Sequence, residues 1–182
     1  VSHTLFTQEL CEPLEQLARQ YLLDDKFTPA KVGRNSDSSL KPEIRKDLIC
    51  WLPSPIETLG PVYLLMEELR IQLNRALFLG LVDWETHFSV YQPGAYYKKH
   101  LDQFRGEKKE RVLSTILYLN SDWQKKDGGA LRLYTPLSEV DVIPTLGTFV
   151  CFLSSEIYHE VLPTHHQRFA LSGWFRNEKQ FF

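Results

Sequence analysis

Apolar positions recur at helical spacing in the first half of the chain and alternate in short runs through the second. Leu10, Leu14, Leu17, Ala18 and Tyr21 lie three or four apart, which predicts an amphipathic helix. Pro13 belongs in its first turn, where a missing N–H costs least. Val62, Leu65, Met66, Leu69, Leu73 and Leu77 form a second stripe, predicting a helix over residues 61–79 stopped by Gly80. Both stripes read as faces packed on a sheet. Between them, residues 32–45 are polar and loop-like, and residues 47–52 read as a strand. From Trp84 onward the pattern predicts strands over 85–91, 98–101, 111–119, 130–134, 139–143, 147–153, 159–162 and 168–175. Turn-forming residues separate them, among them Gln92-Pro-Gly94, Asp127-Gly-Gly129 and Pro163-Thr-His165. Eight short alternating strands predict a double-sheet jelly roll, mainly β within an α+β chain and buttressed by N-terminal helices.

A chain of 182 residues accommodates one domain with a substantial core. We read it as helical support over 1–80, carrying a loop at 32–47, followed by a jelly roll at 84–176. A long polar loop in a compact domain suits either a lid over a binding site or a plain connector. The net charge of −2 provides no basic field for nucleic acid. No apolar run reaches the length of a membrane span, and residues 7–25 are amphipathic rather than a secretory signal. Cys11, Cys50 and Cys151 are scattered, which disfavours a disulfide framework or a thiolate metal site and fits a reducing cytoplasm.

The candidate chemistry lies on the predicted strands. His100 and Asp102 are two apart at a strand edge, so their side chains point the same way, and a jelly roll brings distant strands such as that of His159 to the same mouth. Two imidazoles and a carboxylate form the donor set that holds a non-haem Fe(II) on one face and leaves the other open. Arg168 follows His159 by a turn and a return strand, and its planar, always-charged guanidinium suits a dicarboxylate. His3, His87, His165 and His166 read as surface or core imidazoles.

Several ordered motifs resemble the Fe(II)- and 2-oxoglutarate-dependent oxygenases, and among them the oxygen-sensing type of prolyl 4-hydroxylase. They include Ile44-Arg-Lys-Asp-Leu-Ile-Cys-Trp51, Tyr91-Gln-Pro-Gly94, Tyr97-Lys-Lys-His-Leu-Asp102, Ile116-Leu-Tyr-Leu-Asn120, Gly128-Gly-Ala-Leu-Arg-Leu133 and Arg168-Phe-Ala-Leu-Ser-Gly-Trp174. The resemblance covers about the last 140 residues. It implies that His100, Asp102 and His159 hold iron and that Arg168 and Tyr118 hold the distal carboxylate of 2-oxoglutarate. It further implies that Tyr91 lines the same pocket, that Trp174 sits close to the metal, and that Arg45 and Asp47 mark the junction of a substrate loop. The implied reaction consumes O2, converts 2-oxoglutarate to succinate and CO2, is stimulated by ascorbate, and hydroxylates a prolyl residue in a protein. Compact bacterial relatives of this kind imply a translation elongation factor as partner.

Three other readings remain in view. A nucleic-acid dealkylase with the same iron chemistry resembles a pattern with a second arginine six residues past the first, where this chain has Trp174. A hydroxylase of a free amino acid or other small molecule would favour a short, closed loop rather than the long polar one here. A jelly-roll binding module that lost its metal should lack one of the four site residues, and all four are present. Zinc binds the same donors but leaves Arg168 and Tyr118 without a role.

Overall fold

A computed structural model describes residues 1–32, 39–52, 57–103 and 111–177. Helix α1 (Gln8–Leu23) starts where the Thr7 carbonyl accepts the N–H groups of Leu10 and Cys11, each at 3.2 Å. Pro13 lies in the second turn rather than the first, so the carbonyl of Glu9, four residues back, loses its usual donor. Burial offsets that loss, because Cys11, Leu14 and Ala18 are 0% exposed. Helix α2 (Gly60–Leu77) buries Val62 and Met66, while Leu77, predicted to belong to the same stripe, is exposed. Its stop is Phe78, not Gly80. Phe78 takes a left-handed conformation (φ 53) and donates its N–H to the Asn74 carbonyl at 3.0 Å. The Asn74 amide also exchanges two 2.8 Å bonds with the Leu81 backbone, closing the turn from a side chain.

The strands are β1 (Thr28–Pro29), β2 (Asp47–Trp51), β3 (Asp83–Tyr91), β4 (Tyr97–His100), β5 (Arg111–Tyr118), β6 (Leu131–Tyr134), β7 (Glu139–Val142), β8 (Phe149–Leu153), β9 (Tyr158–Val161) and β10 (Arg168–Arg176). They form two antiparallel sheets, ordered β1-β2-β3-β10-β5-β8 and β4-β9-β6-β7. The eight strands predicted after Trp84 are β3 to β10, each within two residues of its expected bounds. The short β1 was not predicted; it exists because Thr28 and Pro29 pair with Ile49 and Leu48 at the sheet edge.

Strand alternation sorts the larger sheet into two faces. Phe88 and Val90 of β3, Leu113 and Leu117 of β5, and Phe169, Leu171 and Phe175 of β10 join Leu14, Ala18, Val62 and Met66 in one apolar core under the helices. The intervening residues face the second sheet, where Tyr91, Tyr118, Leu131, Leu133, Val142, Val150, Phe152, Val161 and Ala170 form a smaller core. Each fully buried large apolar side chain contributes about 1.5–3 kcal/mol of transfer free energy.

The polar loop is described only at its ends. Val32 and Ser39 exchange two 2.9 Å backbone bonds, and residues 33–38 lie outside the described residues. Residues 44–46 then run along β4, with Lys98 N–H donating to the Ile44 carbonyl (2.9 Å) and Lys46 N–H to that of Tyr96 (3.0 Å), before the chain enters β2 of the other sheet. That strap joins the two sheets. Among the described residues no helix is long and apolar enough to cross a membrane.

Candidate metal centre and co-substrate pocket

A cavity of about 480 Å³ opens between the sheets, lined by residues of both. His100, at the end of β4, lies directly opposite His159 of β9, and Asp102 follows two residues later. The candidate ligand atoms of these three side chains lie within 4.8 Å of one another. Asp102 Oδ1 is 3.5 Å from His100 Nε2, and Asp102 Oδ2 is 3.7 Å from His159 Nε2. Adjacent donors about 2.1 Å from a shared metal sit about 3 Å apart, so small shifts would close this set on an ion.

The backbone selects the free nitrogens. His100 Nδ1 lies 2.7 Å from the Lys98 carbonyl and His159 Nδ1 3.2 Å from that of Ile157, so each Nδ1–H donates there and leaves Nε2 with a lone pair. Burial, with His100 adding to it and Asp102 opposing, holds the His159 imidazole down at about 4. It is therefore neutral at pH 7, as a metal ligand must be. Burial alone would raise the Asp102 carboxyl; in the acid range, where the metal-free imidazoles of His159 and His100 take up protons, their charge and the Ser114 hydroxyl outweigh it and hold the group well below the usual carboxylate range.

Strand register carries the pocket away from these three residues. Along β10 the inward side chains are Arg168, Ala170, Ser172 and Trp174, and the matching positions on β3 are Tyr91, Ser89 and His87. Trp174 Nε1–H donates to Asp102 Oδ2 at 3.0 Å, which puts the metal candidate at that end of β10. Arg168 is at the other end. It is 1% exposed, its Nε–H donates to the Gly129 carbonyl at 2.7 Å, and its guanidinium lies over the rings of Tyr91 (5.0 Å) and Tyr118 (4.9 Å). Among the described residues, Arg168 Nη2 and the Tyr118 hydroxyl are buried without a hydrogen-bond partner. A buried cation with orphaned donors calls for an anion, because an uncompensated buried charge is strongly destabilising.

A family model for the 2OG-Fe(II) oxygenase superfamily matches residues 86–176, a span that contains all of these residues. The chain belongs to that superfamily. Its members use Fe(II), 2-oxoglutarate and O2. The chain is 31% identical to the human Egl nine homolog 1 over 161 residues, covering 82% of this chain but only 37% of the human protein's length. It is 36% identical over 91 residues to a Caenorhabditis elegans hypoxia-inducible factor prolyl hydroxylase, 48% of this chain and 12% of that protein. A crystal structure of a Pseudomonas putida prolyl-4-hydroxylase superposes with a TM-score of 0.87 at 38% identity, over 97% of this chain and 91% of that one.

The chain carries its sequence-predicted site residues in two groups. His100, Asp102, His159 and Trp174 meet at one end of the cavity, and Arg168 and Tyr91 line the other, with the Tyr118 ring packed against the Arg168 guanidinium. The indole of Trp174 touches Asp102, so in this structure it supports a candidate metal ligand. Arg45 and Asp47, predicted as substrate contacts, are occupied with each other: Arg45 Nε and Nη2 donate to the two Asp47 oxygens at 2.7 and 2.5 Å. Both residues line the cavity, Arg45 on the strap between the sheets and Asp47 at the start of β2.

The sequence reading missed several residues of the site. Ser114 donates its hydroxyl to Asp102 Oδ2 at 2.6 Å; it shares the inward alternation of Ile116 and Tyr118, so strand register could have found it. His87, read as an ordinary core or surface imidazole, lines the cavity between the rings of Trp51 (4.8 Å) and Trp174 (5.4 Å). Its Nδ1 is buried without a partner among the described residues, and burial together with Arg45 and Arg111 pushes its pKa down to about 3. The Arg111 guanidinium lies 3.5 Å over the Trp174 ring.

Proposed function

We propose that this protein is an Fe(II)- and 2-oxoglutarate-dependent dioxygenase that hydroxylates a prolyl residue in a protein substrate. In this reading His100, Asp102 and His159 hold the iron. Arg168 and the Tyr118 hydroxyl bind the distal carboxylate of 2-oxoglutarate, with Tyr91 walling the same end. Bound together, iron and co-substrate would let O2 act as an oxidant strong enough for an unactivated C–H, one oxygen atom going to the hydroxyl formed and the other to 2-oxoglutarate, which leaves as succinate and CO2. The protein's own residues orient. Nδ1 bonds to the backbone fix both imidazoles, Ser114 and Trp174 fix the carboxylate, and the aromatic walls exclude water. Arg45, on the strap, and Asp47, buried behind it, line the cavity and are read as the substrate side of the site.

The observation that carries this reading is the buried Arg168 Nη2, without a hydrogen-bond partner among the described residues, in the cavity that holds the two-histidine, one-carboxylate cluster, with the equally unpartnered Tyr118 hydroxyl on the ring packed against its guanidinium. The prolyl substrate is supported by the relatives, whose names describe prolyl hydroxylases. A translation elongation factor is the first protein partner to test, the cytoplasm is the expected compartment, and ascorbate should stimulate turnover by keeping iron reduced.

Protein purified with Fe(II) should turn 2-oxoglutarate into succinate and add one oxygen to a proline of the partner, read by mass spectrometry. His159→Ala should abolish both. Undiminished turnover in that variant would sink the metal assignment. Oxygen recovered on a free amino acid instead of the protein would replace the substrate class with a small molecule.

A further inference from the structure

Tyr97 and His100 begin and end β4, three residues apart, and on a regular strand such side chains point to opposite faces. Here they stack: the ring centroids are 3.5 Å apart with an interplanar angle of 15°. The cause is an irregularity in the ladder. Tyr97 pairs with Val161 and His100 with His159, so three steps along β4 match two along β9, and one extra residue sits between them. A bulge of this kind re-aims a side chain, in this case the imidazole toward the cavity.

The outer face of Tyr97 is covered as well. The Arg45 guanidinium lies over its ring at 4.2 Å, and Arg45 is itself held by both oxygens of Asp47, a residue 2% exposed. Backbone bonds on both sides of Arg45 tie the strap to β4, with Lys98 N–H to the Ile44 carbonyl and Lys46 N–H to that of Tyr96. Asp47 pairs in the ladder with Tyr91, the residue opposite Arg168. A continuous stack therefore runs from Asp47 through Arg45 and Tyr97 to His100.

We infer that Tyr97 is a positioning residue for His100, and that Arg45, clamped by Asp47, holds Tyr97 against it. This rests on the reading of His100 as an iron ligand. The imidazole has one backbone bond to set its tilt, that of Nδ1 to the Lys98 carbonyl, and 14% of its side chain is exposed. The tyrosine ring fixes the remaining rotation. Arg45 and Asp47 thus act on the metal from the mouth of the cavity, and a change in the strap is felt at the iron.

The test is an anaerobic Fe(II) titration of the purified protein, with no turnover required. Tyr97→Leu should weaken Fe(II) binding about tenfold, the lower end of what loss of a group supporting a ligand costs. Tyr97→Phe, which keeps the ring, should bind within about twofold of wild type. Should Tyr97→Leu not fold, Arg45→Lys provides the second arm: it keeps the charge, loses the planar fork on Asp47 and Tyr97, and should weaken binding about threefold. His100→Ala separates the two ideas. If it loses Fe(II) while Tyr97→Leu and Arg45→Lys bind like wild type, the positioning role falls and the ligand assignment stands. If His100→Ala binds Fe(II) undiminished, the ligand assignment falls and takes this inference with it.

Discussion

Asp102, a candidate metal ligand, shows how neighbours orient a single side chain. Its Oδ2 accepts two hydrogen bonds, from the Ser114 hydroxyl at 2.6 Å and the Trp174 indole at 3.0 Å, while Oδ1 faces His100. A carboxylate held on one oxygen offers the other in a fixed direction. Ser114 also bonds Ser154 at 2.9 Å, so its hydroxyl is itself oriented. Ser114→Ala should therefore lower Fe(II) affinity about tenfold with little change in unfolding midpoint. Wild-type affinity in that variant would reduce Ser114 to a packing residue. At the opposite end, Gly129 does the corresponding task for Arg168. Its carbonyl accepts from Nε, its φ is +65, and a Cβ there would stand 2.9 Å from Arg168 Cδ and 3.0 Å from the Thr164 hydroxyl.

The strands bring these residues together, and β10 is the pivotal one. It pairs with β3 along its whole length and with β5 on its other side, and it carries both Arg168 and Trp174. Gly173 lies between them at a close crossing, where a Cβ would come within 2.4 Å of the Glu85 carbonyl and 2.8 Å of Trp84 Nε1, which donates to Thr115 across the sheet. Backbone cannot yield cheaply, so Gly173→Ala should destabilise by about 2 kcal/mol in urea unfolding and loosen Trp174 from Asp102. A loss under about 0.5 kcal/mol would mean that β3 and β10 separate without cost.

Strand alternation was legible in the sequence because one face of each central strand is apolar under the helices and the other carries Tyr91, Tyr118 and Arg168. What escaped depends on partners rather than local pattern. Phe78 ends α2 in place of Gly80 because Asn74 closes the turn. Leu77 lies beyond the packed face. Thr28 and Pro29 form a strand only through β2, and His87 joins the cavity only through Trp51 and Trp174. The Tyr97–His100 stack needs a bulge that no spacing rule announces.

At the scale of the whole molecule, the jelly roll buries titratable groups in the wall of its cavity, and this couples stability to pH. His87 is 4% exposed, and burial, then Arg45 and Arg111, lower its pKa from 6.5 to about 3. Between those values the unfolded chain carries a proton on His87 that the folded chain does not. Folding stability is thus intact above pH 6.5 and falls as pH drops toward 3, by up to about 1.4 kcal/mol per pH unit for one proton. His159, lowered to about 4, adds to the trend in the metal-free protein. The carboxylates contribute their own slope, but that slope is common to wild type and to a His87→Leu variant. Urea unfolding of the two proteins in chelator at pH 7 and pH 5.5 should therefore show the wild type losing about 1 kcal/mol more than the variant over this interval. Parallel losses would mean that His87 takes up its proton in the folded state, and that the wall between Trp51 and Trp174 admits water and charge.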